Sequence, residues 1–313
     1  MKIAFEIFRL LRPRQWIKNL AIFAAIIFAG ELFNFPVFEK VLIGFFVFCG
    51  LSSATYIIND LFDIEKDRLH PFKKYRPLAN KKVPVPLAIV IACVLILSSL
   101  TTSLFVTPAF AITAFVYLII QFSYSFHLKT IAAIDILVIA TGYIIRVYAG
   151  EFASGFHTSV WMLLTTISFS LFLAVGKRRS ELTLLSNSKV ANIAATRKSL
   201  SHYSDRLLDV YASIFATSTF ITYSLFTFLE NPKGVRISLD IFFPDFLPAF
   251  FQKKWLMITI IPVVYGIMRY LQDIYEKNEG ESPEKVLLSD KPLLINVILW
   301  VFLVILIIYF IGA

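Results

Sequence analysis

The sequence has little charge and very few cysteines or histidines. Only 16% of its 313 residues are Asp, Glu, Lys or Arg, and both cysteines, Cys49 and Cys93, lie inside apolar runs. Cysteines in such positions indicate neither a disulfide framework nor a zinc site. The four histidines are scattered along the chain, and no Walker loop or Ser-His-Asp order is present. These absences exclude the P-loop, zinc-site and Ser-His-Asp classes of enzyme.

Long apolar blocks take up most of the chain, which is 58% hydrophobic. A helix needs roughly 20 apolar residues to cross the hydrocarbon core of a membrane. The blocks therefore predict an all-α, polytopic bundle of about nine transmembrane helices. The predicted spans lie near 17–35, 41–61, 85–105, 109–126, 134–151, 159–176, 207–229, 253–273 and 292–312.

The distribution of positive charge predicts the orientation. With the N-terminus on the cytoplasmic side, 24 of the 30 Lys and Arg residues fall in cytoplasmic segments, as the positive-inside rule requires, and the C-terminus lies outside. The net charge of +9 is thus mainly a topology signal, and nucleic acid is not an expected partner. Arg146, within a span, is interpreted as structural.

No linker rich in Pro, Gly or Ser divides the chain, so residues 1–313 are predicted to form one catalytic membrane domain. Residues 1–16 mix Phe and Leu with Lys and Arg, and predict an interfacial amphipathic helix that precedes the bundle of 17–313. The sequence leaves open whether the protein forms a homo-oligomer.

The most informative motif follows the second apolar run and contains Asn59, Asp60, Asp63 and Asp67. At about 100° per residue, a helix aligns Asp60 with Asp67 and keeps the other two side chains within about a right angle of them. Mg²⁺ binds one or two carboxylates together with waters and substrate phosphates, so this row suits a metal-bound diphosphate. The simpler alternative is a solvated helix end, but its charges are not spaced for i,i+4 pairing.

Basic residues cluster near this acidic row. Lys73, Lys74 and Arg76 can hold phosphate oxygens, although such a loop can equally be a positive-inside anchor. Lys177 and Arg178, which close the sixth span, and Lys18, which opens the first, share this ambiguity and would suit a lipid phosphate. Tyr124 and Lys129 end the fourth span, and Asp135 opens the fifth, where it could ligate metal, orient Lys129 or cap a helix.

The run from Asn59 to Asp67 resembles the signature of the UbiA superfamily of intramembrane prenyltransferases. That family typically carries a second aspartate-rich motif after its sixth span, and the two motifs hold Mg²⁺ on a prenyl diphosphate. Here Gly176-Lys177-Arg178-Arg179 occupies that place. This departure argues against a prenyl diphosphate donor.

A narrower resemblance, to the decaprenyl-phosphate phosphoribosyltransferase branch, rests on five stretches of the chain. They are residues 12–19, 59–77, 124–129 together with Asp135, 176–178 and 280–284. It implies 5-phosphoribosyl 1-diphosphate as donor, polyprenyl phosphate as acceptor, Mg²⁺ as cofactor and a bacterial plasma membrane enzyme whose site faces the cytoplasm. It further implies that the product serves cell-envelope arabinan synthesis.

The resemblance also assigns roles to the residues. Asn59, Asp60, Asp63 and Asp67 would hold the metal, and Lys73, Lys74 and Arg76 the donor phosphates. Tyr124, Lys129 and Asp135 would complete the pocket, and Lys177, Arg178 and Lys18 would position the acceptor.

Two other functions compete with this one. A prenyltransferase that uses a prenyl diphosphate should have a second carboxylate cluster. A transporter or lipid-binding protein should have ionisable residues along a path across the bilayer, whereas here they gather at one face.

Overall fold

The computed structural model describes residues 2–69, 73–187, 198–230, 254–276 and 283–311. Within these ranges the protein is helical and contains no strand. The α-helices are, in chain order, α1 Lys2–Leu11, α2 Ala24–Phe28, α3 Phe35–Phe62, α4 Ile64–Leu69, α5 Val85–Leu104, α6 Pro108–Phe126, α7 Ile134–Ser154, α8 Val160–Asn187, α9 Asp205–Leu229, α10 Ile260–Glu276, α11 Pro283–Ser289 and α12 Lys291–Leu306. Short 3₁₀ helices cover Lys73–Tyr75, Leu128–Thr130, Lys198–His202 and Trp255–Thr259, a longer one covers Pro13–Phe23, and π-helical turns extend α12 over Ile307–Ile311.

In the described part of the chain, eight helices are long and apolar enough to cross a membrane. They coincide with the second to ninth predicted spans, so the all-helical membrane fold is confirmed. The predicted first span differs, because it consists of the 3₁₀ helix Pro13–Phe23 followed by the five-residue α2. Helix α1 lies within the predicted amphipathic segment and exposes Phe5 and Phe8.

The 3₁₀ helix differs from a regular span because polar residues interrupt its apolar run. With three residues per turn, side chains at i and i+3 stand in line. Trp16, Asn19 and Ile22 form one such line against α3: Trp16 Nε1 donates to Ser53 Oγ at 2.9 Å, and Ile22 is fully buried. Gln15 and Lys18 form a second line, and they contact each other at 2.6 Å.

Helices α3 and α7 form the centre of the bundle. The membrane-spanning part of α3 is 61% buried, against 17% for α12 at the periphery. Gly150 on α7 allows a close approach, because a Cβ there would lie 2.0 Å from the carbonyl oxygen of Ile22. The 3₁₀ helix is thus packed against the centre of the bundle.

Large apolar side chains are exposed on the outer helices, including Leu97, Ile112, Ile295 and Phe302. Contiguous exposed apolar surface is costly in water but matches a lipid environment. The protein is therefore an integral membrane protein.

Arg146 is buried on α7 and links neighbouring elements. Its Nε donates to Asn19 Oδ1 at 2.7 Å, and its Nη2 donates to the Tyr117 hydroxyl at 3.1 Å. Because this guanidinium holds the 3₁₀ helix and α6 against α7, the geometry agrees with a structural role.

Candidate active site

The acidic row lies where α3 gives way to α4. Asp63 is the C-cap of α3, yet its amide bonds to the carbonyl of Asn59 and its own carbonyl accepts from the amide of Asp67, at 3.0 and 2.7 Å. The helical pattern of hydrogen bonds therefore continues through the junction. Asp60 and Asp67 are both buried and lie on one side, as their shared azimuth predicted.

Two arginines neutralise the buried pair of carboxylates. Arg76 Nη1 lies 3.0 Å from Asp60 Oδ1 and 2.7 Å from Asp67 Oδ2, so it bridges them. Arg12 Nη2 contacts both oxygens of Asp60, at 2.5 and 2.8 Å. Burial raises the pKa of the Asp67 carboxyl above its ordinary value, and the charge of Arg76 only partly offsets this effect.

Lys129 neutralises the other half of the row. Its Nζ lies 2.7 and 2.8 Å from the oxygens of Asp63 and 3.1 Å from Asn59 Oδ1. The 3₁₀ turn Leu128–Thr130, which follows α6, brings it there. The structure thus joins Lys129 to the acidic row from a distance of 66 residues along the chain.

Arg12 is a site residue that the assignment of roles from sequence missed. It has a left-handed backbone, with φ 53° and ψ 59°, at the sharp turn between α1 and the 3₁₀ helix. Such a conformation is costly for a residue with a side chain and persists only where its surroundings impose it. The guanidinium stacks 4.9 Å over the ring of Tyr56 while it binds Asp60. The one signal in the sequence was the position of Arg12 directly before Pro13, where a helix is expected to end.

The remaining basic residues of the loop differ in their contacts. Lys73 Nζ lies 3.4 Å from Glu181 Oε1, so the loop is tied to the end of α8. Lys74 is exposed and lies over the ring of Tyr75. Of the three basic residues predicted here, Arg76 is the one whose hydrogen bonds to the acidic row are described above.

Arg178 is fully buried in a network of charged and polar groups. Its Nε lies 3.0 Å from Asp135 Oδ2, its Nη1 pairs with Glu181, and its Nη2 donates to the Tyr124 hydroxyl at 3.2 Å. Asp135 is also fully buried and accepts a hydrogen bond of 2.7 Å from the Tyr203 hydroxyl. The structure thus places Asp135 beside Arg178. The guanidinium of Arg178 has no exposed surface with which to meet a lipid phosphate.

Lys177 and Lys18 have different surroundings from Arg178. Lys177 is half-buried and makes no ion pair with any residue that the structure describes. Lys18 Nζ lies 3.1 Å from Glu284 Oε2, and Gln15 also contacts Glu284. Glu284 belonged to a noted motif but had no predicted role, and the first half of that motif, 280–282, lies outside the described residues.

The oxygen atoms of the acidic row could serve as ligands of Mg²⁺. Within the described ranges, no three His, Cys, Asp or Glu side chains converge as a metal-ligand group. The row nevertheless offers two cation positions, now held by Arg76 and Lys129, each lined by two oxygen-bearing side chains. Mg²⁺ at phosphate sites characteristically takes one or two protein carboxylates and completes its shell with substrate and water. The donor set fits such an ion.

The fold and the site define a polytopic helical membrane protein with a cation-neutralised acidic row at one end of its bundle. The sequence profile described as the UbiA prenyltransferase family matches residues 20–289. The chain belongs to that family, whose members are transferases.

Among characterised proteins, the chain is 37% identical to the "Decaprenyl-phosphate phosphoribosyltransferase" of Mycolicibacterium smegmatis over 93% of this chain and 88% of that protein. It is 35% identical to the protein of the same name from Mycobacterium tuberculosis, over 93% and 90% of the two chains. A solved UbiA homolog from Archaeoglobus fulgidus, bound to GPP and Mg²⁺, superimposes with a TM-score of 0.67 at 18% identity, over 96% of this chain and 99% of the homolog. That likeness concerns the fold.

Proposed function

We propose that this protein transfers the 5-phosphoribosyl group of 5-phosphoribosyl 1-diphosphate to a polyprenyl phosphate, in the manner that its relatives' names describe. The observation that carries the proposal is the unequal distribution of charge between two parts of the bundle. The junction of α3 and α4 has three carboxylates, whereas α8 has Lys177, Arg178 and Arg179 in place of a second acidic motif. The acidic site suits a diphosphate bound through a metal ion, and the basic site suits a monophosphate. A pair of metal clusters would require carboxylates at both sites.

The donor would bind at the acidic row. Asn59, Asp60, Asp63 and Asp67 would hold Mg²⁺, which neutralises the charge that develops on the departing diphosphate. Arg12, Arg76 and Lys129, which contact these side chains here, would then turn to the diphosphate oxygens, since a guanidinium or ammonium binds phosphate strongly. Lys73 and Lys74 lie on the same loop and would extend this cationic surface.

The acceptor would meet Lys177. An unpaired ammonium can position the phosphate of a lipid whose chain lies in the hydrocarbon. An oxygen of that phosphate forms a bond to C1 of the ribosyl group while the bond from C1 to the diphosphate breaks. Because the attacking oxygen is already ionised near neutral pH, no dedicated general base is required. Displacement on the face opposite the diphosphate inverts C1 and gives a β-linked product.

Arg178, Asp135 and Tyr124 would act as positioning residues for this reaction. Their network holds Glu181, and through it Lys73, at the side of the site. We propose the same cytoplasmic orientation, single domain and bacterial plasma membrane location that the sequence predicted, with the product used for cell-envelope arabinan.

Transfer of radiolabel from 5-phosphoribosyl 1-diphosphate to polyprenyl phosphate, by purified protein in detergent, tests the proposal. We expect label in the lipid fraction with Mg²⁺ and none after chelation. Folded protein that transfers nothing to several chain lengths, but prenylates an aromatic or polar acceptor from a prenyl diphosphate, would contradict it. Metal-independent label would contradict the role of Mg²⁺ alone.

A further inference from the structure

A second cluster of polar side chains, called the second pocket below, lies one helical turn from the acidic row. Tyr56 precedes Asp60 by four residues on α3, about 6 Å along the helix axis. Its hydroxyl donates to Gln15 Oε1 at 2.9 Å and lies 3.4 Å from Lys18 Nζ. Glu284, from α11, closes the pocket by contacting both Gln15 and Lys18. Since the ring of Tyr56 also supports Arg12, the pocket and the row share one wall.

The charges of this pocket cancel, unlike those of a phosphate site. Burial raises the pKa of the Glu284 carboxyl, but the ammonium groups of Lys18 and Lys177 outweigh burial and hold the pKa below its ordinary value. Glu284 is therefore ionised and neutralises Lys18. A phosphate at Lys18 would face this carboxylate, and like charges so close repel each other.

Two buried polar atoms in the pocket lack a hydrogen-bond partner. Glu284 Oε2 lies near Lys18 but accepts no hydrogen bond of good geometry from the described residues, and the hydroxyl of Tyr270 has no hydrogen-bond partner among them. Both residues are at least nine-tenths buried. The Tyr270 hydroxyl lies against Gly176, 2.9 Å from the position that a Cβ would occupy there, so the glycine allows the tyrosine to pack this closely. Buried polar atoms are nearly always satisfied, and such exceptions need an explanation.

A sugar hydroxyl matches every one of these features. It donates one hydrogen bond and accepts up to two, so it can bond Glu284 and Lys18 together without disturbing their charges. Buried carboxylates bind ribose hydroxyls in the same way elsewhere. The pocket lies near Lys177, where the acceptor phosphate would be, and one turn from the row that would hold the diphosphate.

We propose that Glu284, with Lys18, Gln15 and Tyr270, forms the binding site for the hydroxyl groups of a five-carbon sugar phosphate, the ribosyl part of the donor. The assignment of the ligand rests on the proposed function. It moves Lys18 from the acceptor, where the sequence placed it, to the sugar. Lys177 keeps the acceptor phosphate.

Binding of ribose 5-phosphate and of inorganic phosphate, measured by calorimetry on the full chain in detergent, tests the site without requiring transfer. Glu284→Gln keeps the shape of the side chain and removes its charge. We expect ribose 5-phosphate to bind about 10-fold to 100-fold more weakly to the variant, the usual effect of a lost hydrogen bond to a charged group. Inorganic phosphate should bind no more weakly, because Lys18 loses its counter-ion.

Glu6→Gln is the matched control. Glu6 is another buried carboxylate with two cationic partners, Arg9 and Lys82, but it lies on α1 outside the pocket. This variant should bind both probes as the wild type does. Tyr270→Phe removes a hydroxyl that has no partner among the described residues, so the variant should fold. We expect it to bind ribose 5-phosphate about fivefold more weakly and to bind inorganic phosphate as the wild type does.

Three results would overturn the inference. The first is tighter binding of both probes by Glu284→Gln, which would make Glu284 only the counter-ion of Lys18. The second is an unchanged affinity for ribose 5-phosphate in both Glu284→Gln and Tyr270→Phe. The third is no binding of ribose 5-phosphate to the wild type. If ribose 5-phosphate binds as expected but no label reaches the lipid, the sugar site stands and the proposed transfer fails.

Discussion

Replacement of Arg178 by methionine separates the two roles open to this residue, a buried structural ion and a ligand of the lipid phosphate. The variant keeps much of the side-chain volume but leaves Asp135 and Glu181 without the guanidinium that lies between them. Arg178 and Asp135 have no exposed surface, so water cannot take its place. Breaking a buried ion pair by removal of one partner costs about 3–5 kcal/mol. We expect the free energy of unfolding of Arg178→Met to fall by about that amount.

Lys177→Met is the matched control for this experiment. It removes a neighbouring cation of the same helix that has no partner among the described residues, so nothing buried is left unpaired. We expect its stability to match the wild type and its KM for the lipid acceptor to rise. Thermal unfolding in detergent and initial rates at varied acceptor concentration measure the two effects. An Arg178→Met protein with wild-type stability and a raised acceptor KM would refute the structural role and restore Arg178 to the lipid site.

Three further predictions concern other parts of the molecule. Asp60→Ala should lower Mg²⁺-dependent transfer roughly 100-fold or more while the helices remain folded by circular dichroism, and wild-type rates would remove Asp60 from the metal site. Gly150→Ala should lower the free energy of unfolding by about 1–3 kcal/mol, because its Cβ would meet the backbone of Ile22. Gly142→Ala should lower it less, since its Cβ would meet only the ends of side chains, and equal stability of the two variants would contradict this packing. Because the pKa of Glu284 is lowered from 4.5 in the folded protein, its charge stabilises the fold above that pH and the effect is lost as pH falls through the folded pKa. The stability difference between wild type and Glu284→Gln should therefore shrink as pH drops below 4.5, and a difference that grows in acid would contradict the shift.

The long helices could be predicted because each is encoded by its own apolar block. The 3₁₀ helix Pro13–Phe23 could not, since 3₁₀ and α helices differ in one hydrogen-bond register that a short mixed run does not reveal. The type of helix matters here, because the three-residue repeat of the 3₁₀ helix aligns Gln15 with Lys18 in the second pocket.

The acidic row was predictable for a similar reason, because its members share one helix end. Its contact with Arg12 was not, since Arg12 lies 48 residues from Asp60 along the chain. The contact between Gln15 and Glu284 was not predictable either, because it joins residues that are 269 positions apart. Helical periodicity carries no information about such pairings. The basic run within α8 shows that residue type alone does not predict a role. Lys177 and Arg178 are adjacent cations, but Arg178 is the one of the two that points into the buried network.

The charge balance of the site sets the order in which ligands can bind. Arg12, Arg76 and Lys129 already neutralise the three carboxylates, so a bare diphosphate would gain little from them while they stay there. On the proposed function, a divalent cation bound with the diphosphate would take the place of the three side chains at the carboxylates and would free them for the phosphate oxygens. Lys177, which makes no ion pair within the described ranges, would need no such exchange before it meets a monophosphate. On this reasoning, metal should be required for the affinity of the donor and not for that of the acceptor. Equal loss of both affinities on chelation would mean that the two phosphates share the acidic row.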